Sequence, residues 1–227
     1  MVRRIQLAMV VAVTVAVIGC KSRQPAPPSV PPAVVPPVDA AQLAAALRDG
    51  GLVLFVRHAA TDPTHADAAQ VALENCATQR PLSAVGRGQA ETIAAAVKRL
   101  RLRIGTVRSS PYCRCTDTAR LAFGYMLLDN DLLPAVGPNA KPHLAAVRRQ
   151  LGTPPIPGQN AVLVGHGDTI KALLGLDLEE GETLVVRPAA SGGSFAPIGR
   201  IRAEQWPGLG GIKWTTMNDG RRIKDEG

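Results

Sequence analysis

The sequence predicts an α/β domain: three layers, α/β/α, around a mostly parallel central sheet, closed by a C-terminal hairpin. Three observations carry this. Leu52-Val53-Leu54-Phe55-Val56 is a short apolar run of β-formers that empties abruptly into Arg57-His58. Ala161-Val162-Leu163-Val164 repeats the pattern and empties into Gly165-His166-Gly167. Segments of helical periodicity alternate with such runs. Short runs that are apolar throughout, rather than at alternate positions, are strands buried on both faces, and helices must cover those faces.

At 227 residues the chain allows one domain of ordinary size plus an N-terminal extension. Hydrophobic residues make up 46% but aromatics only 3%, so Ala, Val, Leu and Ile must fill the core. The net charge of +8 raises the question of nucleic acid, yet no run of five Lys or Arg occurs and there are only seven aromatics for base stacking. Nucleic acid is therefore not an expected partner. A diffuse positive field suits the steering of small anions instead.

Met1-Val2-Arg3-Arg4 followed by apolar Ile5 through Ile18 reads as an export signal. Its ending, Val17-Ile18-Gly19-Cys20, resembles a bacterial lipobox, in which the cysteine is lipidated after cleavage. The competing reading, an uncleaved anchor helix, meets an apolar run that is short for a membrane span. The resemblance implies a signal peptide over 1–19, an exported, periplasm-facing protein with lipid on Cys20, and, from Lys21, the outer membrane. Residues 20–38 follow as a tether with seven prolines, an extended and semi-rigid composition.

The domain is expected over 39–207. Asp39 is placed to cap a helix through Arg48, with Gly50 just past its end. After the Arg57-His58 strand, residues 62–80 lack periodicity and read as a loop; His65 there reads as solvated and Arg80 as a weak candidate substrate contact. Ser83 caps a helix to about Leu100, with Ala90, Ile93, Ala94 and Val97 on one face and Lys98, Arg99 and Arg101 as a solvated cationic end. Ile104–Ser109 is a strand and Tyr112–Leu128 a helix, in which Arg114 and Asp117 are spaced to pair. A helix is expected around His143–Leu151, and another from Thr169, for which Asp168 has the chemistry of an N-cap. Leu184–Pro188 and Ser194–Arg202 form the hairpin around Gly192-Gly193. The polar tail, 208–227, is expected to be flexible.

Taken alone, Arg57-His58 reads equally well as two solvated residues at a strand end. Three further pieces change that: Pro81-Leu82-Ser83-Ala84-Val85-Gly86-Arg87-Gly88-Gln89-Ala90, Ser109-Ser110-Pro111-Tyr112-Cys113-Arg114, and Gly165-His166-Gly167-Asp168. This ordered set, over about residues 50–202, resembles the histidine phosphatase superfamily in the branch that holds the phosphoglycerate mutases and small phosphohistidine phosphatases. The third residue of the usual Arg-His-Gly opening is Ala59 here. The resemblance implies a metal-independent phosphomonoester phosphatase without cofactors. His58 would be the nucleophile that is transiently phosphorylated, and Arg57, Arg114 and His166 would hold the phosphoryl group. Asp168 is the candidate proton donor, because residues 121–150 contain no Glu. The substrate would be a small-molecule or glycan phosphomonoester, such as an envelope sugar phosphate. Alternatives on the same fold are an anion- or phosphoglycan-binding lipoprotein without turnover and a phosphoglycerate mutase-like enzyme.

Cys76, Cys113 and Cys115 remain if Cys20 is lipidated. Their spacing does not fit a zinc site, and a catalytic cysteine is disfavoured. An exported domain favours a disulfide. A Cys76–Cys113 bridge would clamp the loop to the phosphate pocket, with Cys115 competing for the same role.

Overall fold

Strand β1 (Val53–Arg57) shows why the sheet lies where it does. Successive side chains of a strand point to opposite faces. Leu54 and Val56 enter one apolar cluster, Val53 and Phe55 the other, and all four are buried. Each such side chain contributes roughly 1.5–3 kcal/mol when removed from water. A one-residue slip would exchange the two faces and turn His58 away from its site.

The computed structural model describes residues 31–36, 38–137 and 140–210, and the backbone of two short strands at 214–216 and 222–224. The expectations for the signal segment, Cys20 and the first part of the tether, and for most of the tail, lie outside the described residues.

The first cluster is covered by α1 (Ala40–Asp49), α2 (Ala84–Arg99) and α3 (Cys113–Phe123), the second by α4 (Ala140–Leu151) and α5 (Gly167–Leu174). Between them lie β1, β2 (Ile104–Ser109), β3 (Leu127–Leu128), β4 (Asn160–Gly165), β5 (Thr183–Pro188) and β6 (Phe195–Ile201) in the order β3-β2-β4-β1-β5-β6. The β3/β2, β2/β4 and β4/β1 pairs are parallel; β1/β5 and β5/β6 are antiparallel. The predicted three-layer α/β/α class, mostly parallel sheet and terminal hairpin are all present, and the hairpin extends the sheet rather than standing apart. The two strands β7 (Trp214–Thr216) and β8 (Arg222–Lys224) pair antiparallel with each other.

Three boundaries differ from the sequence reading. The helix expected through Leu128 stops at Phe123, because Gly124 turns left-handed (φ 82°) and returns its N–H to the Arg120 carbonyl. Leu127-Leu128 then becomes an edge strand. Helix α4 begins at Ala140 rather than near His143. Helix α5 begins at Gly167, so the capping position is His166 and Asp168 lies within the first turn. The cationic end of α2 is also not wholly solvated: Arg99 donates to the carbonyls of Trp206 and Leu209, holding the last buried turn of the domain. At the other end, Ala33 donates its N–H to Leu174 O at 2.7 Å and packs with Val35 against the second cluster, so the chain around residues 33–35 is docked there.

Candidate active site

The parallel register of β1 and β4 sets Arg57 opposite Gly165, so His58 and His166 leave the sheet side by side at its C-terminal edge. Open α/β sheets bind ligands at that edge. The ring centroids are 5.6 Å apart. Arg114, from the first turn of α3, reaches the same place, and Arg57, His58, Arg114, His166 and Asp168 line one cavity of about 420 Å³. A cavity of about 470 Å³ elsewhere, bordered by Arg108, Asp129 and Gln150, lacks an imidazole.

The backbone after His58 is fixed by the segment that begins α2. Ser83 caps that helix through Gly86 N and also donates its hydroxyl to Ala60 O, Gln89 accepts from Ala60 N, and Thr118 of α3 accepts from Ala59 N. A Cβ at Gly86 would run into the Ala60 carbonyl. The Ser83, Gly86 and Gln89 spacing therefore serves to hold the backbone where it leaves β1. Gly167 does similar duty for Arg57, whose Cδ lies 3.0 Å from where a Cβ would be.

His58 Nδ1 lies 3.0 Å from Ala59 O. A carbonyl can only accept, so Nδ1 carries the proton and Nε2 keeps its lone pair. Burial, with help from Arg114 and Arg57, lowers the His58 pKa to about 4, although Ala59 O and Glu180 act in the opposite direction. His58 is consequently neutral at pH 7, and its 4.0 Å separation from Glu180 Oε1 is not an ion pair there. His166 is held well below the usual imidazole range, first by burial and then by His58, Arg114 and Arg57. Its Nε2 is 3.0 Å from Ser110 Oγ and 3.6 Å from the thiol of Cys115.

Three carboxylates surround this centre. Asp67, in the loop, meets Arg114 Nη1 at 3.1 Å and accepts from Arg80 N; it takes the place that the helical spacing assigns to Asp117, which instead lies 4.0 Å from Arg120. Burial turns Arg114 inward, over the Tyr112 ring at 4.2 Å, and away from its helix neighbour. Glu180 accepts from Thr61 N and Oγ1 and lies 3.5 Å from Arg57 Nη2 and 4.0 Å from Arg80 Nη2. Asp168 has its carboxyl pushed up by burial, opposed by the N–H groups of Thr169, Asp168 and Ala135 and by Arg114. Its Oδ2 is buried without a hydrogen-bond partner among the described residues, as are the Nε atoms of Arg57, Arg80 and Arg114. Sequence reasoning singled out Asp168 but missed Asp67 and Glu180.

The structure joins Cys76 to Cys113, and Gln79 Oε1 accepts from Cys113 N, so the loop is tied to the start of α3 twice. Cys115 is a buried free thiol whose pKa burial raises to about 12. It does not compete for the bridge. His65 is exposed, 3.0 Å from Asp62. Among the described residues no group of three or more His, Cys, Asp or Glu is placed to hold a metal ion.

Residues 53–134 match the model of the histidine phosphatase superfamily (branch 1). No curated protein matches the chain. Among solved structures, the chain is similar to the protein histidine phosphatase SixA complexed with tungstate, at 14% identity and a TM-score of 0.49 over 68% of this chain and 98% of that one. It is also similar to a mycobacterial glucosyl-3-phosphoglycerate phosphatase at 17% identity and a TM-score of 0.47, over 65% and 97% of the two chains. A phosphoserine phosphatase mutant from Entamoeba histolytica is matched at 15% identity and a TM-score of 0.46, over 66% and 95%. The matched segment, residues 53–134, is the one that supplies Arg57, His58 and Arg114.

Proposed function

We propose that the protein is a phosphomonoester phosphatase that acts through a phosphohistidine on His58. The observation that carries this reading is His58 itself: neutral, with Nδ1 donating to Ala59 O and Nε2 unshared, in a cavity that also holds Arg57, Arg114 and His166. Phosphoryl transfer needs an in-line nucleophile and positive groups around the equatorial oxygens. In this scheme His58 Nε2 attacks phosphorus and the P–O bond to the leaving group breaks. Arg57 and Arg114 take the charge on the equatorial oxygens, and His166 donates a hydrogen bond to them. Water then attacks the phosphohistidine, releases inorganic phosphate and restores His58. Asp168, a carboxyl with a raised pKa in the same cavity, is the candidate donor of the proton to the leaving oxygen. No step calls on a metal or a cofactor.

Neither the mutase reading nor the reading as a binding protein without turnover has an observation that favours it over hydrolysis. The substrate fits a small-molecule or glycan phosphomonoester, an envelope sugar phosphate in particular if the chain is exported. The assay that decides is release of inorganic phosphate by the full-length protein from a panel of sugar, alkyl and aryl phosphates, with His58→Ala as control. Equal release by the variant would overturn the mechanism.

We also propose lipidation of Cys20 and anchoring to the outer membrane, facing the periplasm, on the strength of the Arg3-Arg4 region, the apolar run and the Val17-Ile18-Gly19-Cys20 ending. Processing and fractionation of Cys20→Ser identical to the parent would exclude it.

A further inference from the structure

Ser110 is the last residue before the chain turns from β2 into α3, and it is fully buried. Its backbone is fixed by donation to Val164 O at 2.9 Å, so its side chain has little freedom to move away from β4. Two nitrogen groups meet its hydroxyl, Tyr112 N–H at 3.4 Å and His166 Nε2 at 3.0 Å, and the Cys115 thiol lies beside it as well. The Tyr112 amide can only donate, so it takes a lone pair of the hydroxyl. If His166 Nε2 also donated to that oxygen, the Ser110 proton would be left, among the described residues, with only the Cys115 sulfur, a weak acceptor. A buried donor left with a poor acceptor is the costlier arrangement. The hydroxyl proton therefore goes to His166 Nε2. The Cys115 thiol, the other neighbour of Nε2, has Gly165 O at 3.8 Å as an acceptor of its own.

We propose that Ser110 is a positioning residue that fixes His166 as the Nδ1–H tautomer, so that this histidine offers an N–H to the phosphoryl oxygens. A neutral imidazole has one donor and one acceptor. With Nε2 occupied as the acceptor, the single proton sits on Nδ1, which makes no hydrogen bond within the described protein while the ring lines the cavity. In the opposite tautomer His166 would turn a lone pair toward an anion. The Tyr112 ring, edge-on to His166 at 5.2 Å, holds the orientation of the imidazole. The proposal rests on the phosphatase reading for its consequence, but not for the tautomer itself.

The test begins on the unmodified full-length protein with 15N-labelled histidine, in which long-range 1H–15N spectra near pH 7 distinguish protonated from unprotonated ring nitrogens. Of the four histidines, the resonances lost in His166→Asn belong to His166. We expect a protonated Nδ1 and an unprotonated Nε2; a protonated Nε2 would overturn the proposal whether or not the protein hydrolyses any ester. In kinetics, Ser110→Ala should lower kcat/KM by roughly 10- to 100-fold, less than the 10²–10³ that accompanies loss of a whole donor. An Asn at 166 carries an amide N–H near the Nδ1 position and needs no tautomer. Adding Ser110→Ala to His166→Asn should therefore change kcat/KM little, whereas the same additional loss in both backgrounds would reduce Ser110 to a purely structural role.

Discussion

Strands β1 and β4 run parallel and in register, and each delivers a histidine to the same cavity, yet the two imidazoles show it opposite atoms. At the end of β1, His58 spends its Nδ1–H on the carbonyl of the next residue and exposes the Nε2 lone pair. At the end of β4, His166 has Nε2 occupied by Ser110, from the neighbouring strand-to-helix corner, and is left with Nδ1. Two nearly equivalent backbone positions thus acquire different chemistry from their hydrogen-bond partners. One is suited to attack phosphorus, the other to bind its oxygens.

The largest expected effect separates these roles. His58→Ala should lower kcat by roughly 10⁴ or more, as loss of a nucleophile does, and should leave no phosphoenzyme after an alkaline quench. His166→Ala removes one stabilising donor, and a loss of roughly 10²–10³ with phosphoenzyme still detectable is the expected outcome. Phosphoenzyme in His58→Ala would assign the nucleophile to the wrong strand.

Next in size is the proton for the leaving group, for which Asp168 is the proposed donor. Asp168→Asn should slow alkyl phosphates by roughly 10²–10⁴ and spare aryl phosphates, whose leaving groups need little protonation. Because Asp168 lies inside the first turn of α5 and not at its cap, the substitution does not remove a capping side chain. Equal rates on an alkyl phosphate would dismiss Asp168 as the acid.

Both histidines also bear on stability in acid. Their folded pKa values are depressed, His58 from 6.5 to about 4, so the unfolded chain binds the protons first. Stability is fully present above the unfolded value and is lost as pH falls from about 6.5 through 4. For His58 alone, the drop from 6.5 to about 4 corresponds to about 3 kcal/mol. Urea unfolding at pH 7 and pH 4.5 should show the loss, and His58→Ala should show less of it. An unchanged pH dependence in that variant would mean that His58 is not held neutral by the fold.

How much of this was legible in the sequence follows from what kind of segment holds each residue. Arg57, His58 and His166 stand at the ends of uniformly apolar strands and Arg114 opens a helix, so periodicity places them, while their expected roles came from the resemblance of the ordered motifs to the histidine phosphatase superfamily. Asp67 and Glu180 come from an aperiodic loop and from the turn before β5, and only the closure of the fold brings them to the arginines. The pairing of Arg114 with Asp117 predicted by helical spacing fails for the same reason: spacing says which residues share a face, not which way that face is turned. Ser110 lies inside the Ser109-Ser110-Pro111 motif, but its partner is 56 residues away. The role of Ser83, Gly86 and Gln89 in holding the Ala60 backbone is likewise a long-range fact.

Glu180 distinguishes the two histidines: it lies near His58 and raises its pKa, but it is not among the groups that shift His166. Its Oε1 is 3.5 Å from Arg57 and 4.0 Å from His58 Nδ1, with the side chain 25% exposed, so solvent screens part of its charge. A nearby carboxylate favours the protonated imidazole; in Glu180→Gln the titration midpoint of His58, followed by NMR, should move further down while that of His166 stays. The same carboxylate competes with a phosphoryl group for Arg57, so the variant should bind inorganic phosphate slightly more tightly, by a factor of roughly two to five. Arg57 keeps its anchor in either case, since Nη1 donates to the Leu178 carbonyl. Weaker phosphate binding would instead show that Glu180 serves chiefly to orient Arg57, and an equal shift of both histidines would show that the two strand ends share one field rather than two separately tuned environments.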